Sequence, residues 1–400
     1  MLSFAFISLA LCENWAVIFT GSNTWSNYRH SADSFYQFKL LLEGGIPRDH
    51  IILMNYDDTA RIKRNPFQNK IFRDLDHLYD IYPGQESMNY SQTDVNKENF
   101  LNVLKGNSTN GPALKSTIDD NVFIFYDNHG GSGILGVPDK CGDFIYADEL
   151  IETFQYMSDH KMFKKLFFPI TACYAGSVAM YLEDIPNMYI MTASNAVESS
   201  YADLFDIRLG AYLTSEFSFH KDEFIETYPT GTLADLFDFA SENVRQSSVC
   251  EFGDMSLKTM TIDQFVGPRS PKSKSKTFES KQKIEETKAK IDQLQKSIEV
   301  ENNEVLKAEM ELRITAEKMC EARLDQIISG LKKKFELESK NIDFTKNCKI
   351  TNWTGYRKVM NALKENVEVI GDAFYAKTFF FSNLCSIVDA DEIVAEIKRL

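Results

Sequence analysis

"NVFIFYDNHGGSGILG", residues 121–136, carries the reading of the fold. Val122 to Tyr126 are apolar without interruption. Such a run is long enough for a strand buried on both faces and too short for a buried helix. It ends in Asp127, Asn128 and His129, and glycines follow at 130, 131, 133 and 136. A strand that breaks into a glycine-rich turn therefore carries a histidine at the join. Four more stretches read the same way: "WAVIFTG" (15–21), "HIILMNYDD" (50–58), "LFFPITACYAG" (166–176) and "MYIMTASNA" (188–196). Helical patterns lie between or after them, over Ala32–Leu42, Lys97–Leu104, Ala147–Met157 and Leu233–Arg245. Doubly buried strands alternating with helices predict an α/β fold with a mostly parallel sheet covered on both sides. In such sheets ligands meet the chain beyond the carboxyl ends of the strands.

The chain has 400 residues, which predicts two domains. Its formal charge is −14, which disfavours nucleic acid as a partner. "MLSFAFISLALCEN" opens with an apolar run from Leu2 to Leu11 that is too short to span a bilayer. It fits a secretory signal over residues 1–12, with a buried first strand as the alternative. No later run reaches the ~18 apolar residues of a transmembrane helix. Sequons at Asn89, Asn107 and Asn352 agree with secretion and are candidate glycosylation sites. The seven cysteines show no C-x-x-C pair and no zinc spacing, so neither a metal nor an organic cofactor is expected.

The composition changes at Gly267. "GPRSPKSKSKTFESKQK" holds six basic residues against Glu279 and reads as an exposed linker. Ile284, Ile291, Ile298, Val305, Leu312 and Met319 then recur every seven residues, with Leu294 on the same seam, which predicts one long heptad-patterned helix. Asn302 and Asn303 interrupt its polar face, and Gly330 marks a break. Tyr356–Leu363 and Ala373–Leu384 read as two packed helices. The expected divisions are a signal (1–12), an α/β domain (13–266), a linker with a helix (267–303) and a helical domain (304–400).

Two strand ends present reactive groups, His129 and, forty-four residues later, Cys173. Adjacent parallel strands would bring both to one sheet edge. A thiol beside an imidazole is a nucleophile with its proton partner, and the imidazolium can protonate a leaving amine. The N–H groups of Gly130 and Cys173 are candidates for an oxyanion hole. Each residue alone reads as an ordinary turn histidine or a small buried thiol.

The stretch from Gly21 to Asp58, "GSNTWSNYRHSADSFYQFKLLLEGGIPRDHIILMNYDD", resembles the opening of the legumains, the asparaginyl endopeptidases. "FYDNHGGSGILG" resembles their histidine motif and "TACYAGS" stands where their nucleophile motif does. "TASNAVESSYA" resembles the following stretch, and "GYRKVMNAL" and "FFFSNLC" resemble the legumain prodomain. The resemblance implies a caspase-like, mostly parallel sheet flanked by helices, followed by an all-α prodomain. It implies a cysteine endopeptidase that cuts after asparagine, or aspartate, in protein or peptide substrates. It assigns Cys173 as nucleophile, His129 as its partner and Asn27 as the residue that orients the histidine. Arg29 and His30 would line the pocket for the substrate side chain.

The resemblance also implies a zymogen, inhibited by its own prodomain until autocleavage in acid, which the interruption at Asn302 or Asn303 would receive. Cystatin-type inhibitors and a lysosome-like compartment, or secretion, belong to the same expectation. Three positions depart from the pattern. Tyr174 and Ala175 follow the nucleophile in place of Glu-Ser. Asn128 precedes the histidine where the family has aspartate. The acid of the specificity pocket falls on Ser215, with Glu216 adjacent, so both are candidates for the pocket wall. A GPI-transamidase-like catalytic subunit and a catalytically silent secreted binding protein are the competing readings.

Overall fold

In the computed structural model the described residues are 13–107, 110–273, 283–337, 349–367 and 369–400. The expected signal, residues 1–12, lies outside them, as does part of the basic linker.

The predicted strands form one sheet. It is built from β1 (Asn14–Thr20), β2 (Ile51–Met54), β3 (Asn121–Asp127), β7 (Lys165–Thr171), β8 (Met188–Thr192) and β11 (Cys250–Gly253). Their order is β11-β8-β7-β3-β1-β2, parallel throughout except for β11 at one edge. Every residue of β3 is buried, as its unbroken apolar run requires. Its side chains alternate. Phe123 and Phe125 join one core with α1 (Tyr28–Glu43), α5 (Glu216–Thr227), α6 (Leu233–Asn243) and α7 (Asp263–Val266). Val122, Ile124 and Tyr126 join a second core with α2 (Lys97–Leu104), α3 (Ala147–Asp159) and α4 (Gly176–Ala179). The expected mostly parallel, helix-covered sheet is what the chain forms.

Two small sheets stand at the carboxyl edge. The glycine-rich stretch after His129 folds as β4 (Gly130–Gly131) and β5 (Ile134–Leu135), which pair with β6 (Ile145–Tyr146). The hairpin of β9 (Tyr201–Asp206) and β10 (Ala211–Ser215) receives a third strand, β12 (Ile284–Glu285), from beyond the linker. Sequence reading missed both, because strands of two to six residues with mixed polarity leave no periodic signal.

The second half is helical: α8 (Glu286–Val300), α9 (Glu304–Lys334), α10 (Trp353–Glu365), α11 (Asp372–Leu384) and α12 (Ala390–Arg399). The single heptad seam is not what packs. The chain breaks at Glu301–Asn303, and the Asn303 side chain caps α9 by accepting from the N–H groups of Val305 and Leu306. The break resets the phase. Met310, Ile314, Cys320, Leu324, Ile327 and Leu331 line the buried face of α9, while Val305, Leu312 and Met319 are exposed. Nor does Gly330 stop the helix. It lies against Leu400, and a Cβ there would come within 2.6 Å of that side chain.

This assignment separates two leucines on one helix. Leu324→Ala is expected to destabilise the helical half by about 2–4 kcal/mol through the cavity it leaves. Leu312→Ala should stay within about 0.5 kcal/mol of the parent. Urea unfolding followed by helical circular dichroism distinguishes them, and equal costs at both sites would restore the heptad seam.

Candidate active site

The register of the parallel strands sets the site. Asp127 stands opposite Thr20 of β1 and Thr171 of β7, so the three strands end level. His129 and Cys173 each lie two residues past those ends. They therefore leave adjacent strands, ~5 Å apart in the pairing direction, at the same edge. Gly130 is packed against the backbone of Cys173, and a Cβ on it would sit 2.4 Å from the Cys173 carbonyl oxygen. Only glycine allows this approach.

Asn27 enters from the loop after β1. Its Oδ1 lies 2.9 Å from His129 Nε2, and its Nδ2 donates to the Asn23 carbonyl at 2.8 Å. The second bond fixes which end of the amide faces the ring. Nε2 then carries the proton it donates, and Nδ1 keeps a lone pair that can take a proton from a thiol. Burial pushes the imidazole pKa well below its usual value, and the positive charges of neighbouring Arg29 and Lys290 act in the same direction.

Cys173 is buried. Its Sγ lies 3.0 Å from Ser199 Oγ and 3.5 Å from Ser200 Oγ, and the Ser200 N–H donates to it at 3.3 Å. These donors favour a thiolate, but they do not prevail. Burial, then the carboxylate of Glu286, pushes the thiol up to about 12. In this covered state the nucleophile is protonated.

The residues expected to line the substrate pocket are all buried. Arg29 and His30 were expected in a polar loop, but α1 begins at Tyr28, four residues earlier than predicted, and both occupy its first turn. The Arg29 guanidinium is buried and its Nη1 donates to the Ser26 carbonyl at 3.2 Å. His30 Nδ1 lies 2.8 Å from Ser22 Oγ. Ser215 is buried, its N–H donating to Asp33 Oδ2 at 2.8 Å, while its hydroxyl makes no hydrogen bond. Glu216 turns elsewhere: its Oε1 accepts from the Arg245 N–H at 3.1 Å and pairs with Lys283. It holds the linker.

The pocket is filled by the chain itself. Strand β12 runs antiparallel to β9, Ile284 opposite Ala202 and Glu285 opposite Tyr201. The next N–H, that of Glu286, donates to the Ser200 carbonyl at 2.9 Å. The Glu286 side chain is fully buried, with Oε2 at 3.9 Å from Arg29 Nη2 and 3.8 Å from His30 Nε2. From the other side α11 lowers Asp372 to 3.5 Å from His129 Nε2 and stacks Tyr375 on the ring. Further out, Arg357 pairs with Asp148 and Lys364 with Asp143. The glycine-rich stretch serves this cover too. The Ser132 N–H donates to Thr378 Oγ1 at 2.9 Å, and Tyr356 donates to the Ser132 carbonyl at 2.8 Å. A cleft of about 810 Å³ remains beside β12, lined by Tyr174, Glu198, Tyr201, Asp292 and Lys377 among others.

Residues 14–270 match the model of the Peptidase C13 family. The chain belongs to that family. It is 37% identical to mouse legumain over 64% of this chain and 59% of that protein. It is 36% identical to the hemoglobinase of Schistosoma japonicum, over 65% and 62% of the two chains. Against the vacuolar-processing enzyme of Citrus sinensis the identity is 33%, over 66% and 56%. The chain thus spans about three fifths of the length of these relatives. A caspase-1 structure from Spodoptera frugiperda is similar over 66% of this chain at 12% identity, with a TM-score of 0.37.

Asn107 and Asn352 are exposed, and Asn352 caps α10. Asn89 is half-buried, its Oδ1 accepting from Arg48 and the Leu53 N–H. Asn302 and Asn303 sit exposed at the α8–α9 break. Asn128 is buried and donates to the Gly21 carbonyl, tying β3 to the loop after β1. Sequence reasoning missed Ser199, Ser200, Glu286 and Asp372. The two serines stood inside "TASNAVESSYA" without a recognisable pattern of their own, and the two acids gain meaning only from tertiary docking.

Asp372 gives the cover a pH dependence of definite sign. Burial, with Glu317 nearby, raises its carboxyl to about 6 although Lys290 and Arg29 pull it down; His129 is its other titratable neighbour. The docked state thus binds the proton more tightly than the undocked one. Its contribution favours docking below the ordinary carboxylate range and is lost as pH rises through about 6. Asp372→Asn should strengthen docking at pH 7.5 by about 1–3 kcal/mol and leave pH 4 nearly unchanged. Amide exchange of α11 at the two pH values measures this, and slower exchange in the parent at pH 7.5 than in the variant contradicts it.

Proposed function

We propose that the chain is a cysteine endopeptidase made in a covered, inactive form. The observation that carries this is the convergence of Cys173, His129 and Asn27 at one sheet edge, with a strand of the chain's own C-terminal half laid through the site. A substrate would take the path of β12, antiparallel to β9, with the Ser200 carbonyl accepting the N–H of the residue before the scissile bond. That residue's side chain would enter the pocket of Arg29, His30 and Ser215. Asparagine and aspartate are the side chains the family resemblance implies.

The chemistry follows from the geometry. The Cys173 thiol passes its proton to His129 Nδ1, and the sulfur attacks the carbonyl carbon. Negative charge on the former carbonyl oxygen meets the N–H groups of Gly130 and Cys173. The imidazolium then protonates the departing amine, leaving an acyl-enzyme. Asn27 keeps the ring in place through both halves of the cycle, and His129 next draws a proton from the water that releases the acid product. Uncovering the site removes both causes that hold the thiol high, its burial and the Glu286 carboxylate, so departure of the cover also activates the nucleophile.

Acid supplies the trigger in this reading. Arg357 with Asp148, Lys364 with Asp143 and Lys283 with Glu216 join basic groups of the second half to acids of the first. Loss of the carboxylate charges in acid would weaken such pairs, while the raised carboxyl of Asp372 opposes the release. Cleavage after Asn302 or Asn303, exposed between two helices, would then separate the halves. An acidic compartment of the secretory route, or secretion, suits such a protein, and no helix among the described residues is long and apolar enough to cross a membrane.

A mixed peptide library and the acid-incubated chain test this. Hydrolysis should vanish with Cys173→Ala, and Asn27→Ala should lower kcat by about 10- to 1000-fold with little change in KM. Alkylation of Cys173 by iodoacetamide should be slow before acid incubation and fast after it. N-terminal sequencing should find a fragment beginning at residue 303 or 304. Undiminished hydrolysis by Cys173→Ala would sink the proposal, and new termini only elsewhere would remove the cleavage-site assignment.

A further inference from the structure

The occupant of the pocket is a carboxylate, and the pocket's own groups explain why. Arg29 Nε and Nη2 are buried without a hydrogen bond, as are His30 Nε2 and the Ser215 hydroxyl. Of these, Arg29 Nη2 and His30 Nε2 stand within 4 Å of the Glu286 carboxylate, both of whose oxygens also lack a hydrogen bond. The nearby acids are otherwise engaged. Asp33 pairs with Arg73 and accepts from Thr214 and the Ser215 N–H, and Asp222 pairs with Arg73 and Lys221. Asp127 stands 3.9 Å from His30 and accepts from Ser218 at 3.2 Å, and burial, then the charges of Asp33 and Glu286, raise its carboxyl well above the usual range. Among the described residues of the first half, Arg29 thus has no carboxylate partner within 4 Å.

We propose that the pocket prefers an acidic side chain, glutamate foremost and aspartate after it, with asparagine and glutamine cleaved more slowly, a rate that a single intramolecular cut after Asn302 or Asn303 tolerates. This rests on the endopeptidase reading and narrows its substrate class. When Glu286 leaves, a buried guanidinium loses the carboxylate that stands within 4 Å of it, and weakening the pairing of such a charge is costly. A substrate carboxylate restores the pair and accepts from Arg29, His30 and Ser215 together. A carboxamide brings no charge, and its NH₂ donates into a wall made chiefly of donors. Length favours glutamate. With its N–H on the Ser200 carbonyl, Glu286 already brings Oε2 within 4 Å of both Arg29 and His30, and aspartate is one methylene shorter.

Two measurements test the proposal. The acid-incubated full chain is offered four peptides differing only at the residue before the scissile bond: Glu, Asp, Gln or Asn. At pH 6.5 the Glu peptide should exceed the Gln peptide in kcat/KM by about 10-fold or more, with Asp above Asn. The ratio should shrink at pH 4 as the side chains lose charge, and Arg29→Met should abolish it. In the uncleaved Cys173→Ala chain, Glu286→Gln should speed amide exchange over residues 284–300 about 10-fold at pH 7, because an amide cannot replace the ion pair. Cleavage after Asn or Gln as fast as after Glu, still lost with Cys173→Ala, overturns the acidic preference and leaves the protease intact. Failure to cleave any peptide overturns the protease reading, and exchange then decides the pocket alone: unchanged or slower exchange in Glu286→Gln refutes its selectivity.

Discussion

The parallel register of β3 between β1 and β7 is the constraint on which the rest depends. Thr20, Asp127 and Thr171 end their strands at one level, and everything chemical lies within a few residues of that line. A one-residue slip would turn Asp127 and Tyr126 to opposite faces and carry His129 away from Cys173. The register is held by two apolar cores that claim alternate residues of β3, so neither face can be given up. Asn128 adds a bond across to the loop after β1, and the same loop supplies Asn27. The site's precision comes from this doubly buried strand, which has no chemistry of its own.

The cover uses the same edge. Substrate-like pairing needs an exposed strand beside the nucleophile, and β9 offers one. The chain's own β12 takes it, and this occupation has electrical consequences. Glu286 supplies the counter-charge of Arg29 and at the same time raises the Cys173 thiol. One carboxylate thus faces the Arg29 guanidinium and adds to the burial that raises the Cys173 thiol. The serines around Cys173 are arranged to hold a thiolate, but they act fully only when that negative neighbour is gone.

The sheet was legible because its strands are apolar on both faces, a pattern that needs no partner to be recognised. His129 and Cys173 were legible for the same reason: each follows such a strand directly. The long second-half helix was misread because its heptad extends across a break that only the Asn303 cap reveals, and the true seam of α9 runs through Met310, Ile314 and Leu324 instead. Strand β12 could not be read at all. Two residues carry no period, and their conformation is imposed by β9, some eighty residues earlier in the chain. Arg29 and His30 were named from resemblance, but their place in the first turn of α1 is what drives them inward.

The glycine-rich turn joins the two halves of the problem. Gly130 yields its side chain to the backbone of Cys173, and Gly131 yields its own to Thr378 and Tyr375 of α11. The first approach would serve a developing oxyanion in the proposed reaction, and the second lets a helix sit directly over the histidine. Gly133 has φ +68° and faces Ile350 and Trp353, so the turn bends where α10 docks. A catalytic turn shaped only for chemistry would need the first glycine. The others fit a turn that must also be closed by its own chain. Because one short segment carries both demands, a change that opens the cover at Gly131 lies one residue from Gly130, the proposed oxyanion donor. Inhibition and catalysis are therefore tied at the level of the backbone as well as through charge.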